Sequence, residues 1–266
     1  MGVRDLVTDH YGGHDLTSRV LDTLAEHGID TDQLHVPDLA PVDQLHAGFA
    51  PATEYVISRL GLGADTRLLD VGSGIGGPSR LASWSTSCPV TGVDLTPEFV
   101  ETARALTDKV GLTDSVTFEV GSADALPFED DSFDAAMMIH VGMNIEDKRA
   151  VFADVHRVLT AGGRFAVYEQ MRTGPGELPF PQPWAEDKRS SFVRSQTDYL
   201  TDLEAAGFTI EEVEDRTAAV SVPPDLPPGT LSPGVVFGEA FLRRIGNNVS
   251  ATQAGILGAI LIVARA

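Results

Sequence analysis

The 266-residue chain has one cysteine, three lysines and no long hydrophobic run. Because Cys88 is alone, an intramolecular disulfide and a cysteine-based zinc site are both excluded. The longest late apolar stretch, residues 256–263, is much shorter than the roughly 20 residues that a transmembrane helix needs. The first residues also lack the apolar core of a secretory signal. We therefore expect a soluble, cytoplasmic protein.

Positive charge is scarce as well. There are 19 Lys and Arg against 39 Asp and Glu, which gives a formal net charge of −20. A protein that binds nucleic acid by neutralising phosphates needs a basic stripe, and an anionic membrane surface would repel this chain. We therefore expect neither nucleic acid nor membrane as a partner. The acidic surplus has two interpretations, a solvated surface that maintains solubility and an adaptation to high salt.

From residue 67 onward, short apolar runs alternate with helical segments. This alternation favours βαβ units and a parallel sheet covered on both faces. Residues 1–60 are polar and helix-like, and we treat them as a helical N-terminal segment followed by one domain over 61–266, with an insertion at about 217–250. The predicted strands are 67–71, 90–93, 116–120, 133–139, 164–168, 208–213 and 256–263, and the main predicted helices are 49–60, 78–85, 97–110, 147–159, 195–206 and 236–245, with a turn at 161–163 and a loop at 174–183.

The strongest local signal is a glycine-rich segment directly after the first predicted strand. Glycines at 72, 74, 76 and 77 let the backbone turn sharply and approach a ligand without interference from a Cβ atom. The N-terminal amides of the following helix suit a negatively charged group. The spacing Gly72-x-Gly74-x-x-Gly77 also satisfies the dinucleotide fingerprint, so the loop alone indicates only a nucleotide-like ligand.

Three carboxylates narrow this choice. Asp70 lies in the strand that leads into the loop, where it suits a ligand with an ammonium group better than a pyrophosphate. Asp94 ends the second strand, where it can accept hydrogen bonds from ribose hydroxyls. Asp124 follows the third strand, near enough to accept from an exocyclic adenine amine. Together they favour an adenosyl ligand with a cationic end.

Four segments in order resemble the successive motifs of class I S-adenosylmethionine-dependent methyltransferases. They read LLDVGSGIGG, VTGVDLTPEFV, SADALPFEDDSFDA and LTAGGRFAVYE, and the resemblance covers residues 43–216. It is greatest to the small-molecule branch, which includes sterol, tocopherol, glycine-betaine-type and natural-product methyltransferases. It implies an α/β, Rossmann-like seven-stranded, mostly parallel sheet with helices on both faces and a helical N-terminal lid. The sterol enzymes have a tyrosine-rich N-terminal segment, for which only Tyr11 is a candidate here, and this argues against a sterol substrate.

The resemblance also assigns cofactor contacts. The glycine loop would surround the methionine part, Asp94 would hold the ribose and Asp124 would recognise the adenine edge. The remaining implied contacts are Gln44 and His46 at the methionine end, Asp70, Gly72, Ser73, Gly74 and Gly76 around the loop, Leu95 on the adenine ring and Ala125 at its edge.

His140 follows the fourth strand, whose carboxyl end faces the ligand crevice of an open α/β sheet. Its imidazole can remove a proton from an acceptor hydroxyl or amine, or it can simply shape the pocket. Both roles remain open at this point. The residues expected to select the substrate are Met143, Asn144, Tyr168 and Trp184. We expect no metal, because the pair His10 and His14 flanks two glycines and lacks a third ligand.

These observations predict methyl transfer from S-adenosylmethionine to an oxygen, nitrogen or carbon of a small molecule, by a monomer or a homodimer. Two alternatives stay open. The glycine spacing also permits an NAD-dependent oxidoreductase, and the fold also permits a cofactor-binding module without turnover.

Overall fold

The computed structural model describes residues 16–220 and 230–266. Within them, seven strands form one sheet in the order β3-β2-β1-β4-β5-β7-β6. Strands β1 to β5 pair in parallel, whereas β7 runs antiparallel to both β5 and β6. The expected mostly parallel seven-stranded sheet is therefore confirmed. The strands are β1 (Leu68–Val71), β2 (Val90–Asp94), β3 (Val116–Val120), β4 (Phe133–Ile139), β5 (Leu159–Arg172), β6 (Thr209–Asp215) and β7 (Leu257–Arg265).

Helices cover both faces of this sheet. Successive residues of a strand point to opposite faces of the sheet, so an apolar strand contributes side chains to the hydrophobic core on each face. In β1, Leu68 packs into a cluster with the helices Phe49–Leu60 and Gly77–Thr86, and its neighbour Leu69 packs into a second cluster with the helices Lys148–Val158 and Gln196–Ala205. The helices are α1 (Leu16–Glu26), α2 (Val36–Asp43), α3 (Phe49–Leu60), α4 (Gly77–Thr86), α5 (Pro97–Lys109), α6 (Lys148–Val158), α7 (Gln196–Ala205), α8 (Pro233–Phe237) and α9 (Glu239–Gln253).

Local sequence signals explain where several helices begin. Pro97 occupies the first turn of α5, where no backbone N–H is needed. Ser195 caps α7 by accepting a hydrogen bond from the N–H of Asp198, whose carboxylate accepts in return from the N–H of Ser195. Asp147 caps α6 by accepting from the N–H of Ala150. These caps agree with the predicted helix starts to within one residue.

Two expectations need correction. The turn predicted at 161–163 is the irregular start of a longer β5, because the N–H of Gly162 donates to the carbonyl of Ala266 and the N–H of Ala266 donates to Gly163. The helix predicted at 236–245 is divided by Gly238 into α8 and α9. Within the N-terminal segment, α3 packs on the sheet as part of the helical layer. A lid role for this segment stays a prediction.

The N-terminal segment is joined to the sheet domain by a fully buried ion pair. Arg80 of α4 donates to the carboxylate of Asp43 at the end of α2, over 2.9 Å between Nη2 and Oδ2. The same guanidinium donates to the carbonyl of Ile75 in the glycine loop and to the carbonyl of Ala103 and the hydroxyl of Thr107 in α5. One cation therefore holds four segments of the chain in a fixed arrangement.

We predict that Arg80→Met lowers the free energy of unfolding by about 3–5 kcal/mol, because the carboxylate of Asp43 would be left buried without its cation. The matched control is Arg67→Met, which removes the exposed Arg67–Asp134 pair. That change should cost less than about 1 kcal/mol. Urea denaturation of both variants measures the difference, and equal losses would contradict the structural role given to Arg80.

Candidate functional site

The larger of two adjoining cavities, of about 370 Å³, lies at the carboxyl ends of β1, β2 and β4. Strand order reverses direction between β1 and β4, and the crevice at such a switch point is where open α/β sheets bind ligands. We call this the cofactor cavity. Of the residues predicted to bind cofactor or substrate, those that line it are His46, Gly72, Ser73, Gly74, Asp94, Leu95, Asp124, His140 and Asn144.

The glycine loop is shaped by close approaches that exclude a side chain. Gly72 has a positive φ of 76°, and a Cβ atom there would collide with the side chain of Val141. At Gly77 a Cβ atom would collide with the backbone of Asp43. At Gly74, by contrast, a Cβ atom would meet nothing within 4 Å, so the backbone at this position is open to the cavity.

Two side chains beside the loop fit a polar ligand. Asp94 accepts hydrogen bonds from the N–H of Gly74 at 2.9 Å and from the N–H of Thr96 at 2.8 Å. Its removal from water raises the pKa of Asp94 above the usual range. Ser73 is buried, and its hydroxyl has no hydrogen-bond partner among the described residues. The cavity thus has a carboxylate positioned by the loop and a hydroxyl free to bind a ligand.

The loop that follows β3 also contributes to this cavity. Asp124 is exposed, lines the cavity and accepts a hydrogen bond from the hydroxyl of Ser122. Leu95 also lines the cavity, as expected for a residue that packs on a flat ring. Ala125 is exposed and does not line it. The adenine contacts of these three residues stay predictions.

Two predicted contacts lie behind the cavity wall. Asp70 is buried and accepts a hydrogen bond from Ser79 over 2.5 Å, and burial raises the pKa of its carboxyl group to about 7. Gly76 is the N-cap of α4 and faces Phe118 and Arg80. Neither residue lines the cofactor cavity, and the ligand contacts expected of both stay predictions.

A second cavity, of about 160 Å³, adjoins the first one. We call it the acceptor cavity. Leu45, His46 and His140 line both cavities, so these side chains form the wall between them. The rings of His46 and His140 lie 5.8 Å apart between centroids. Of the other predicted residues, Gln44 and Trp184 line the acceptor cavity only.

Three residues predicted to select the substrate lie elsewhere. Asn144 lines the cofactor cavity, and its side-chain oxygen has no hydrogen-bond partner among the described residues. Tyr168 packs against His140 at 5.3 Å between ring centroids and donates its hydroxyl to the carbonyl of Ala47. Met143 packs beside Trp184 in a small apolar cluster. Tyr168 and Met143 therefore support lining residues without lining either cavity.

His140 occupies the junction of the cavities in an unusual backbone conformation. Its φ is 54°, a region that non-glycine residues seldom adopt and that often marks functional sites. Its Nε2 atom is buried and has no hydrogen-bond partner among the described residues. Burial, and to a smaller extent His46, lower the pKa of His140 well below its ordinary value. The imidazole is therefore neutral at neutral pH and presents an unpaired ring nitrogen.

Sequence reasoning missed the groups that hold this conformation. The buried carboxylate of Glu169 accepts from the N–H of Val141 at 2.9 Å and of Gly142 at 2.8 Å. Burial raises the pKa of Glu169 to about 7. Lys148 is buried too, and its ammonium donates to the backbone carbonyl groups of Ile145 and Phe192. The available signal was Glu169-Gln170, two polar residues inside the otherwise apolar and aromatic stretch 165–171 of β5.

No group of three or more His, Cys, Asp or Glu side chains that could hold a metal ion occurs in residues 16–220 and 230–266. The pair His10 and His14 lies outside the described residues. No helix of the described ranges is long and apolar enough to cross a membrane.

Comparison with known proteins gives the same picture of residues 69–167, which match a family model described as "Methyltransferase domain". Sterol 24-C-methyltransferase erg6 of Aspergillus fumigatus is 28% identical over 207 residues, which cover 74% of this chain and 54% of that protein. The chain spans 58% and 54% of the length of two curated relatives that it matches, and half or less of several others.

Solved structures share the fold over nearly the whole chain. The [4+2]-cyclase SpnF aligns with a TM-score of 0.71 at 22% identity and covers 95% of this chain and 93% of its own. A geranyl diphosphate methyltransferase in complex with S-adenosylmethionine aligns with a TM-score of 0.64 at 20% identity and covers 96% and 91%. The comparisons give no support to an NAD-dependent oxidoreductase. Residues 69–167 match a methyltransferase domain, and the chain is similar in sequence to methyltransferases that include sterol 24-C-methyltransferases.

Proposed function

We propose that the protein transfers a methyl group from S-adenosylmethionine to a small molecule. The observation that carries the proposal is the pair of adjoining cavities separated by Leu45, His46 and His140. A transfer between two ligands needs a chamber for each and a shared wall where the reacting atoms meet. The name of the sterol relative supports the chemistry but does not identify this chain's acceptor.

The residues of the first cavity fit the donor. The open backbone at Gly74 and the unpaired hydroxyl of Ser73 would hold its methionine part, and Asp94 would hold the ribose hydroxyls. When bound, S-adenosylmethionine supplies an electrophilic methyl group on a sulfonium. The carboxylates of Asp94 and Asp124 also give the cavity a negative potential that suits this cationic donor.

His140 would act on the acceptor from the shared wall. Its unpaired Nε2 can accept the proton that a hydroxyl or amine loses on methylation. Glu169 holds the amides of Val141 and Gly142, the two residues after His140, and this keeps the imidazole in a fixed position. Alignment of the acceptor beside it can then supply much of the acceleration. We propose His140 as the general base of the reaction.

We predict that Asp94→Ala weakens binding of S-adenosylhomocysteine by about 1–3 kcal/mol, because charge-assisted hydrogen bonds are lost. Isothermal titration measures the change, with the exposed Asp65→Ala as a control that should bind as tightly as the unmodified protein. Asp94→Asn should bind S-adenosylhomocysteine with an affinity between those of Asp94→Ala and Asp65→Ala, because its amide keeps one oxygen. Unchanged affinity in Asp94→Ala would refute the assignment, and binding of NADH in place of S-adenosylhomocysteine would refute the proposed function.

We predict that His140→Ala lowers the methylation rate by roughly 10²-fold or more while the affinity for S-adenosylhomocysteine changes little. The control is His156→Ala, which removes a half-buried histidine that packs on Phe208 and lines neither cavity. Transfer of labelled methyl groups to a panel of metabolites supplies the acceptor for this assay. A loss smaller than tenfold would indicate that His140 only shapes the pocket. Tight cofactor binding without turnover of any panel member would favour a binding module.

A further inference from the structure

The acceptor cavity has no charged side chain among the nineteen described residues that line it. Charged residues make up 22% of the chain, so about four would be expected in a random set of this size. The cofactor cavity next to it has Asp43, Asp94, Asp124, Glu146 and Asp147 in its wall. The charged residues described in the two linings therefore all belong to the cofactor cavity.

The two histidines of that wall do not supply positive charge either. Burial lowers the pKa of His46 to about 4, and His140 is shifted in the same direction. His46 is also occupied by neighbouring groups, since its Nε2 lies 2.8 Å from the hydroxyl of Thr53 and 3.2 Å from the side-chain oxygen of Gln44. Among the described lining residues, an anionic acceptor would find no cation, and an ammonium acceptor would find no carboxylate.

Most of the remaining lining is apolar. Aromatic and aliphatic side chains from α3, α9 and the 174–195 loop enclose the space, among them Phe49, Trp184, Phe241 and Ile245. A cavity of about 150 Å³ with such a lining accepts a benzene ring in another protein. The acceptor cavity, at about 160 Å³, therefore has room for the reacting ring or a comparable apolar part of an acceptor.

The lining also includes the buried side-chain amide of Gln170. Gln170 is 2% exposed, lines the cavity, and its Oε1 atom has no hydrogen-bond partner among the described residues. Of the other amides of the lining, Gln44 bonds Asp43 and Thr53, Asn248 donates to Gln182, and Gln253 is exposed to water. A buried acceptor atom without a partner is costly, so a ligand that donates to it is favoured.

We propose that the acceptor cavity selects an uncharged, largely apolar molecule whose hydroxyl group donates a hydrogen bond to Oε1 of Gln170. This inference rests on the proposed function, because it takes the cavity to be the acceptor site. Gln170 is then a specificity-determining residue. A phosphate, carboxylate or ammonium group would have to give up its hydration without a compensating charge, which excludes it from this cavity.

Four one-ring probes of similar size test the charge rule. They are 4-ethylphenol, 4-ethyltoluene, 4-ethylbenzoate and 4-ethylbenzylammonium, each added to the full chain saturated with S-adenosylhomocysteine. Fluorescence of Trp184, in the lining, reports binding in a Trp84→Phe background, since Trp84 is the other tryptophan and is 53% exposed. We expect 4-ethylphenol to bind at least tenfold more tightly than either charged probe.

Substitution of Gln170 tests the hydrogen bond. Gln170→Leu should weaken 4-ethylphenol binding at least fivefold and leave 4-ethyltoluene, which has no hydroxyl, within twofold. Gln170→Glu should improve binding of the ammonium probe. The control Gln33→Leu makes the same change at an exposed position and should alter none of the affinities.

The outcomes separate the two proposals. If S-adenosylhomocysteine does not bind, the proposed function fails. If it binds and a charged probe binds as tightly as 4-ethylphenol, or none of the four probes binds, the inference is overturned while the proposed function stands. Equal losses of 4-ethylphenol and 4-ethyltoluene in Gln170→Leu would show that Gln170 only supports packing, and this too overturns the inference.

Discussion

The site depends on the buried guanidinium of Arg80. It donates to Asp43 at the end of α2, to the carbonyl of Ile75 in the glycine loop, and to backbone and side-chain oxygens of α5. Because an unpaired charge in a protein interior is so costly, these segments cannot separate without losing stability. The close approach of Gly77 to the backbone of Asp43 exists because this pair holds the segments together. Leu45 and His46, which follow soon after Asp43, thereby come to line both cavities.

A second anchor fixes the opposite side of the site. The carboxylate of Glu169 holds the amides that follow His140, and Val141 packs so tightly on Gly72 that no side chain fits between them. The catalytic candidate therefore sits on a segment that is attached to the sheet beneath it and to the glycine loop beside it. This arrangement keeps an unfavourable backbone conformation at His140, as is common where side-chain position determines function.

The distribution of charge within the site follows the chemistry proposed for each cavity. Carboxylates line the cavity that fits a cationic donor, and the described lining of the adjoining cavity is uncharged. In a chain with a net charge of −20, this contrast is not a consequence of overall composition. The two histidines between the cavities are neutral, so the shared wall places no positive charge beside either cavity.

The sequence alone predicted the α/β fold, the bounds of most strands to within two residues, and the positions of the glycine loop, Asp94 and His140 in one crevice. These features follow from local periodicity and from the rule that parallel strands end at a common edge. It could not decide which side chains of a predicted element line a cavity. Asp70 lies in the expected strand, but it is buried against Ser79 and is not among the residues that line the cofactor cavity. The acceptor cavity and Gln170 could not be predicted, because β5, α3, α9 and the loop before α7 meet there only in the folded chain.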